Sequence, residues 1–304
     1  MSAPDRSAPR CDRVLAVDIG GTKMAVAVVD GLGQVLWSMR WPTPTDGTDP
    51  FGELERLVAQ VPPEWAPVAC GVGIGGPMTG GGTLVSPLNI PAWRNFPLSD
   101  RLADRTGLPT WLDNDAKALA LGEAWVGAGV GRQGFLSMVV STGVGGGIVV
   151  DGRLLDGDDG NAGHIGHVIV EPDGRHCECG GYGCLEAEAS GLSIAAMTGR
   201  PPAQADRAMR ERTGRLVGRG VASVCNLLDV KLATVAGSVA LGFGAPFFAA
   251  ARTEMDQRCR LSFSRRAEIV PSALGVDGPL VGAAAVARRG LGRLPGGSGT
   301  EAQQ

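Results

Sequence analysis

Apolar runs interrupted by short glycine-bearing or acidic stretches recur along this chain, and the lengths of the runs predict its first elements. Val14–Val17 is unbroken and apolar, enters Asp18-Ile19-Gly20-Gly21-Thr22-Lys23, and is followed by a second run, Met24–Val29. Two such runs around a glycine turn predict a β-hairpin. Met138–Val140 and Ile148–Val150 repeat the pattern around Ser141-Thr142-Gly143-Val144-Gly145, with a further turn at Asp151-Gly152. Two similar hairpins predict a duplicated architecture. Leu232–Val235 reads as another strand, ended by Gly237 and followed by a helix from Pro246. Leu108–Ala118 reads as a short strand that ends in Asp113-Asn114-Asp115 and runs into an alanine-rich helix. Residues 191–212 read as helices joined by a loop, 205–228 as helical, and 280–287 as a small-residue helix in which Gly282 permits close packing.

At 304 residues, two domains or one large α/β domain are the reasonable expectations. A net charge of −3 argues against nucleic acid or an anionic membrane as the main partner. No apolar stretch approaches the ~20 residues of a membrane span. The first ten residues lack the apolar core of a signal peptide, and unpaired thiols survive in a reducing compartment, so a cytoplasmic protein is expected. Residues 1–12 and 294–304 read as disordered tails.

The cysteines change the picture most. His167, Cys177, Cys179 and Cys184 have the spacing H-x9-C-x-C-x4-C, a plausible tetrahedral ligand set for one zinc ion. Four protein ligands leave no position for an activated water, so the metal would be structural. His176 is the other candidate for fourth ligand, but its place beside Cys177 would require a sharp fold-back, which favours His167. A disulfide is disfavoured because one intervening residue strains a Cys177–Cys179 bridge. Cys11, Cys70, Cys225 and Cys259 are scattered and read as ordinary thiols.

The bare amides of Gly20 and Gly21, the Thr22 hydroxyl and Lys23 are suited to a phosphate, and Asp18 to magnesium through water; a simple tight turn is the other reading. Neither a P-loop nor an isolated dinucleotide-binding turn is present. Asp113 and Asn114 suit a helix cap. Asp115, in the first helical turn at a strand's end, is placed to accept a proton from a substrate hydroxyl.

In order, the blocks DIGGTK, NDA, STGVGGG, GNAGHIGH, CECGGYGCLE and AGSVA resemble the ROK family of bacterial sugar kinases and repressors, over about Val14–Gly290. The resemblance implies an α/β, two-domain actin-like ATPase (ribonuclease-H-like) fold with a cleft between domains and a zinc knuckle. The first domain is expected at 13–118, completed by a helix at 280–290, and the second at 119–279. It implies transfer of the γ-phosphate of magnesium ATP to the 6-hydroxyl of glucose or N-acetylmannosamine, with a sugar-sensing regulator lacking kinase activity as the alternative. Only seventeen residues precede Asp18, too few for a helix-turn-helix, which favours the kinase. By resemblance, Asp115 is the catalytic base. Asn89, Asn114, His164, His167 and Glu186 join it as sugar contacts. Asp18, Gly20, Gly21, Thr22, Lys23, Ser141, Thr142, Gly143, Gly145 and Gly237 serve the nucleotide. Homodimers or homotetramers are expected. One departure stands out: family glucokinases carry glutamate three residues before the zinc histidine, where this chain has His164. A carboxylate accepts from two hydroxyls and a neutral imidazole accepts once and donates once, so the preferred hexose is expected to differ.

Overall fold

The computed structural model describes residues 12–44, 48–79 and 82–294. Of the expected tails, residues 1–11 and 295–304 lie outside this range, as does Cys11. The chain divides into two compact units. Of the described residues, one unit comprises those up to Val126, the short stretch Asp156–Asn161 and those from Val276 to Leu294; the other comprises Gly127–Leu155 and Ala162–Gly275.

In the first unit, β1 (Val14–Ile19), β2 (Lys23–Val29), β3 (Val35–Pro42), β4 (Cys70–Ile74) and β5 (Thr110–Asn114) form a mixed sheet of order β3-β2-β1-β4-β5. β1–β2 and β2–β3 are antiparallel, and β1–β4 and β4–β5 are parallel. β1 is apolar at almost every position because both its faces are covered, which is the pattern a two-sided sheet demands. Leu15, Val17 and Ile19 pack with Phe51, Leu54, Trp93 and Leu98. Val14 and Ala16 pack on the other side with Ala283, Ala284 and Ala287 of α9 (Gly278–Gly290). A Cβ on Gly282 would lie 2.8 Å from the Ala118 backbone, so α9 and α3 (Asp115–Val126) approach as closely as the missing side chain allows. The whole of α3 belongs to the first unit, which runs to Val126. α1 (Pro50–Val58) and α2 (Leu98–Thr106) complete the unit's helices.

The second unit repeats the strand order. β6 (Phe135–Val140), β7 (Val144–Val150), β8 (Arg153–Leu154), β9 (Leu232–Ala236) and β10 (Glu268–Pro271) form the sheet β10-β9-β6-β7-β8. Its β6–β7 and β7–β8 pairs are antiparallel, and β6–β9 and β9–β10 are parallel. The duplication read from the two hairpins therefore extends to five strands in each sheet. α4 (Leu185–Ala189), α5 (Gly191–Thr198), α6 (Arg207–Leu228), α7 (Ser238–Phe243) and α8 (Ala245–Arg258) surround it. α6 starts at a side-chain cap, with Asp206 accepting from the Met209 N–H at 2.8 Å, and its inner face, Leu216, Val217 and Val221, joins Phe247 and Ala251 of α8 in one core. Cys70, Cys225 and Cys259 are buried free thiols. Among the described residues no helix is long and apolar enough to cross a membrane.

Candidate active site

Strand register assembles the first unit's candidates. Asp18, Gly73 and Asp113 share one row across β1, β4 and β5, and Ile19, Ile74 and Asn114 the next. Three parallel strands thus end together, and the loops leaving them line one pocket that includes Gly20, Gly21, Gly75, Gly76, Asn89 and Asp115. The carboxyl ends of parallel strands are where α/β sheets commonly bind ligands.

The β1–β2 turn is closed by the Gly20 N–H donating to Lys23 O at 2.9 Å. It is held from outside by Thr43, whose hydroxyl donates to Gly20 O at 2.6 Å and whose N–H donates to Thr22 O at 3.1 Å. Asn89 lies against Gly21, where a Cβ would come within 2.5 Å of the Asn89 Cβ. Thr22 and Lys23 are exposed. Asn114 caps α3, its Oδ1 accepting from the Ala116 N–H at 3.0 Å, and Asp115 Oδ1 accepts from the same N–H at 2.8 Å. The Asp115 side chain is exposed while Asp18 is buried. Burial, and then the Asp115 charge, push Asp18 up to about 7 against the opposing pull of Lys23 and Arg40. Two carboxylates held near each other favour a cation, which is the condition a magnesium site requires.

One cluster is nearly silent in the sequence. Lys117, on α3, is buried and places its ammonium 3.1 Å from Asp113 Oδ1, 2.9 Å from Asp156 Oδ1 and 2.9 Å from Gly160 O. Arg289 of α9 pairs with Asp156 and lies 3.5 Å from Asp113 Oδ2. Burial drives Asp113 upward even so, and Asp156, although partly desolvated, is held low by Arg289 and Lys117. The network ties the strand end before Asp115, the helix after it and the 156–161 stretch into one rigid piece. Only the Asp113–Lys117 spacing of four is visible in the sequence.

In the second unit the zinc candidates converge. Cys177 Sγ is 3.7 Å from His167 Nδ1, Cys179 Sγ is 3.7 Å from Cys184 Sγ, and all four donor atoms lie within 4.8 Å of one another. Tetrahedral zinc with bonds of about 2.0–2.3 Å separates its ligands by roughly 3.5–3.8 Å, so the set fits one ion. The three cysteines are free thiols, not a disulfide. Burial, and then the adjacent thiols, push Cys184 up to about 12, which a bound cation would reverse by stabilising the thiolate. His176 faces elsewhere: it bridges to Tyr182, their rings edge-on at 5.2 Å. The His164 and His167 rings lie 6.1 Å apart and near-parallel, both side chains exposed.

Ser141, Thr142, Gly143 and Gly145 form or flank the β6–β7 turn, closed by the Ser141 N–H donating to Gly143 O at 2.9 Å. Glu186 reaches this turn: the Val144 N–H donates to its Oε2 at 2.8 Å. Gly237, at the end of β9, has φ of 98°, and a Cβ there would lie 2.3 Å from Val140 O, so only glycine fits. Ser238 after it meets Ser141, hydroxyl to hydroxyl, at 3.0 Å. The candidates thus form two groups, one in each unit: Asp18–Lys23, Asn89, Asn114 and Asp115 in the first, and Ser141–Gly145, His164, His167, Glu186, Gly237 and the cysteines in the second.

Residues 14–290 match the profile of the ROK family. The chain belongs to this family. A glucokinase of Thermotoga maritima is 32% identical over 317 residues, covering 92% of this chain and 98% of that protein. An N-acetylmannosamine kinase of Citrobacter koseri is 39% identical over 239 residues, covering 75% of this chain and 82% of its own. The crystal structure of a ROK family glucokinase from Streptomyces griseus in complex with glucose and AMPPNP superposes with a TM-score of 0.79 at 31% identity, covering 91% of this chain and all of that one. ROK kinase structures of this kind have the actin-like sugar kinase fold, and the two mixed sheets here are its two α/β halves.

Proposed function

We propose that this ROK protein is an ATP:hexose 6-phosphotransferase acting on glucose or N-acetylmannosamine, with Asp115 as the catalytic base. The carrying observation is the exposed Asp115 carboxylate, anchored by the Ala116 N–H in a pocket with Gly20, Gly21 and Asn89. Phosphoryl transfer passes through a loose transition state, so the protein's work is alignment and charge neutralisation. Asp115 accepts the proton of the sugar's 6-hydroxyl as that oxygen attacks the γ-phosphorus, and ADP leaves. The Gly20–Thr22 and Ser141–Gly145 turns offer backbone N–H groups and hydroxyls to the phosphates. Magnesium, held near Asp18 through water, would supply charge neutralisation at the phosphate oxygens. Asn89, Asn114, His164, His167 and Glu186 bind sugar hydroxyls, and Gly237 leaves room for the adenosine.

A zinc bound by His167 Nδ1, Cys177, Cys179 and Cys184 would fix the orientation of the His167 ring and the start of α4, which carries Glu186. The identities to a glucokinase and to N-acetylmannosamine kinases support both sugars, and His164 bears on the choice between them. The test is ADP release from magnesium ATP with glucose, N-acetylglucosamine and N-acetylmannosamine in parallel. Sugar-dependent release is expected. Release with none of the three would favour a sugar-sensing protein without kinase activity.

A further inference from the structure

The β6–β7 turn is held by a segment foreign to its own hairpin. Besides the Val144–Glu186 bond, the Gly191 N–H donates to Ser141 O at 2.7 Å and the Leu192 N–H to Thr142 O at 3.3 Å. All three partners fall within residues 186–192, which begin two residues after the zinc ligand Cys184. The packing leaves no slack at this point. A Cβ on Gly143 would lie 2.7 Å from Glu186 Oε2, and one on Gly166, the neighbour of His167, would lie 2.2 Å from Val144 O and 3.4 Å from the Glu186 Cβ. The carboxylate therefore sits where the phosphate turn, the His167 turn and α4 interlock.

We propose that Glu186 is a positioning residue that couples the sugar contacts to the phosphate turn: Oε2 holds the Val144 amide while Oε1 receives a sugar hydroxyl. The identity of the two ligands rests on the kinase reading; the hold on the turn does not. A hydrogen bond to an ionised acceptor is among the stronger ones, and it removes backbone freedom from a turn that must otherwise be ordered when phosphate arrives. A sugar that fixes the carboxylate steadies the turn, and a nucleotide that fixes the turn steadies the carboxylate, because coupling of this kind is reciprocal. A plain sugar contact would not behave so. It would lose sugar affinity on substitution and leave the turn and the nucleotide untouched.

Hydrogen–deuterium exchange of the peptide covering 141–147, in zinc-loaded full-length protein, separates the two. Glu186→Ala is expected to speed exchange there about tenfold and to weaken AMP-PNP binding, measured by calorimetry without sugar, by roughly 5–10-fold. Glu186→Gln keeps a carbonyl acceptor for the Val144 N–H, so its exchange stays near wild type while sugar binding falls. Glu186→Asp, one methylene shorter, covers the case in which the alanine variant fails to fold, and is expected to speed exchange. Wild-type exchange across 141–147 in either folded shortened variant would overturn the proposal. Wild-type protein that binds no AMP-PNP would count against the kinase reading, and the exchange comparison would still decide the role of Glu186.

Discussion

The β1–β2 and β6–β7 turns occupy the same place in two sheets of the same strand order, yet different neighbours hold them. Thr43, one residue beyond β3 in the same sheet, secures the first with its hydroxyl and its N–H. Residues 186–192, downstream of the Cys/His cluster, secure the second with one carboxylate and two N–H groups. The repeated framework sets where each turn lies; segments outside the repeat set how it is held and what lies beside it. In the first unit that neighbour is Asp115, in the second the knuckle with His167 and Glu186. The same strand order thus carries an exposed carboxylate beside the turn in one half and a Cys/His cluster beside it in the other.

The sharpest way to break the comparison is at Asp115. Asp115→Asn keeps size and the acceptor for the Ala116 N–H but removes the base, so turnover is expected to fall by about 10²–10⁴-fold with an unchanged melting temperature. Steady-state rates beside a thermal melt check both halves of that expectation. Next comes the metal. Cys184→Ser, or chelation, should release the knuckle and raise exchange across 164–192, with a fall in melting temperature of roughly 10 °C, while the β1–β2 turn keeps its protection. Equal loosening of both turns would contradict the separate-holder account.

Lys117→Met tests the rigid piece under Asp115. It leaves Asp113 buried beside Asp156 with Arg289 alone to offset them, and a loss of about 3 kcal/mol in urea unfolding is expected. A further effect is a pH dependence. Asp18 has an ordinary value of 3.8 in the unfolded chain and about 7 in the fold, so its stabilising contribution is full below 3.8 and is lost as pH rises through about 7. Without magnesium, Asp18→Asn is therefore expected to melt above wild type at pH 8 and level with it at pH 4. A wild-type advantage at pH 8 would refute the buried-carboxylate picture.

Much of this was legible because it is local in the chain. The glycine turns lie between their own strands, the zinc donors fall within eighteen consecutive positions, and Asp115 follows directly on its strand. Features built from distant residues gave no such signal. Lys117 meets Asp156 across 39 positions, Arg289 meets Asp156 across 133, and Glu186 meets Val144 across 42. No periodicity or motif spacing encodes those meetings; they exist only once the sheets are formed. The same holds for the 156–161 stretch. Nothing in its Asp-Gly-Asp-Asp-Gly composition points to a partner, and its bonds with Lys117 and Arg289 show that it packs with the first unit.

With Asp115 as the proposed base, the γ-phosphate is expected to reach the 6-hydroxyl of a hexose. Proton-detected phosphorus NMR of the product formed from glucose or N-acetylmannosamine with magnesium ATP tests it most directly. A phosphate coupled to the C6 protons with the wild-type protein, and no product with Asp115→Asn, is the predicted result. A phosphate on another oxygen, or the same product at the same rate from the variant, would contradict it.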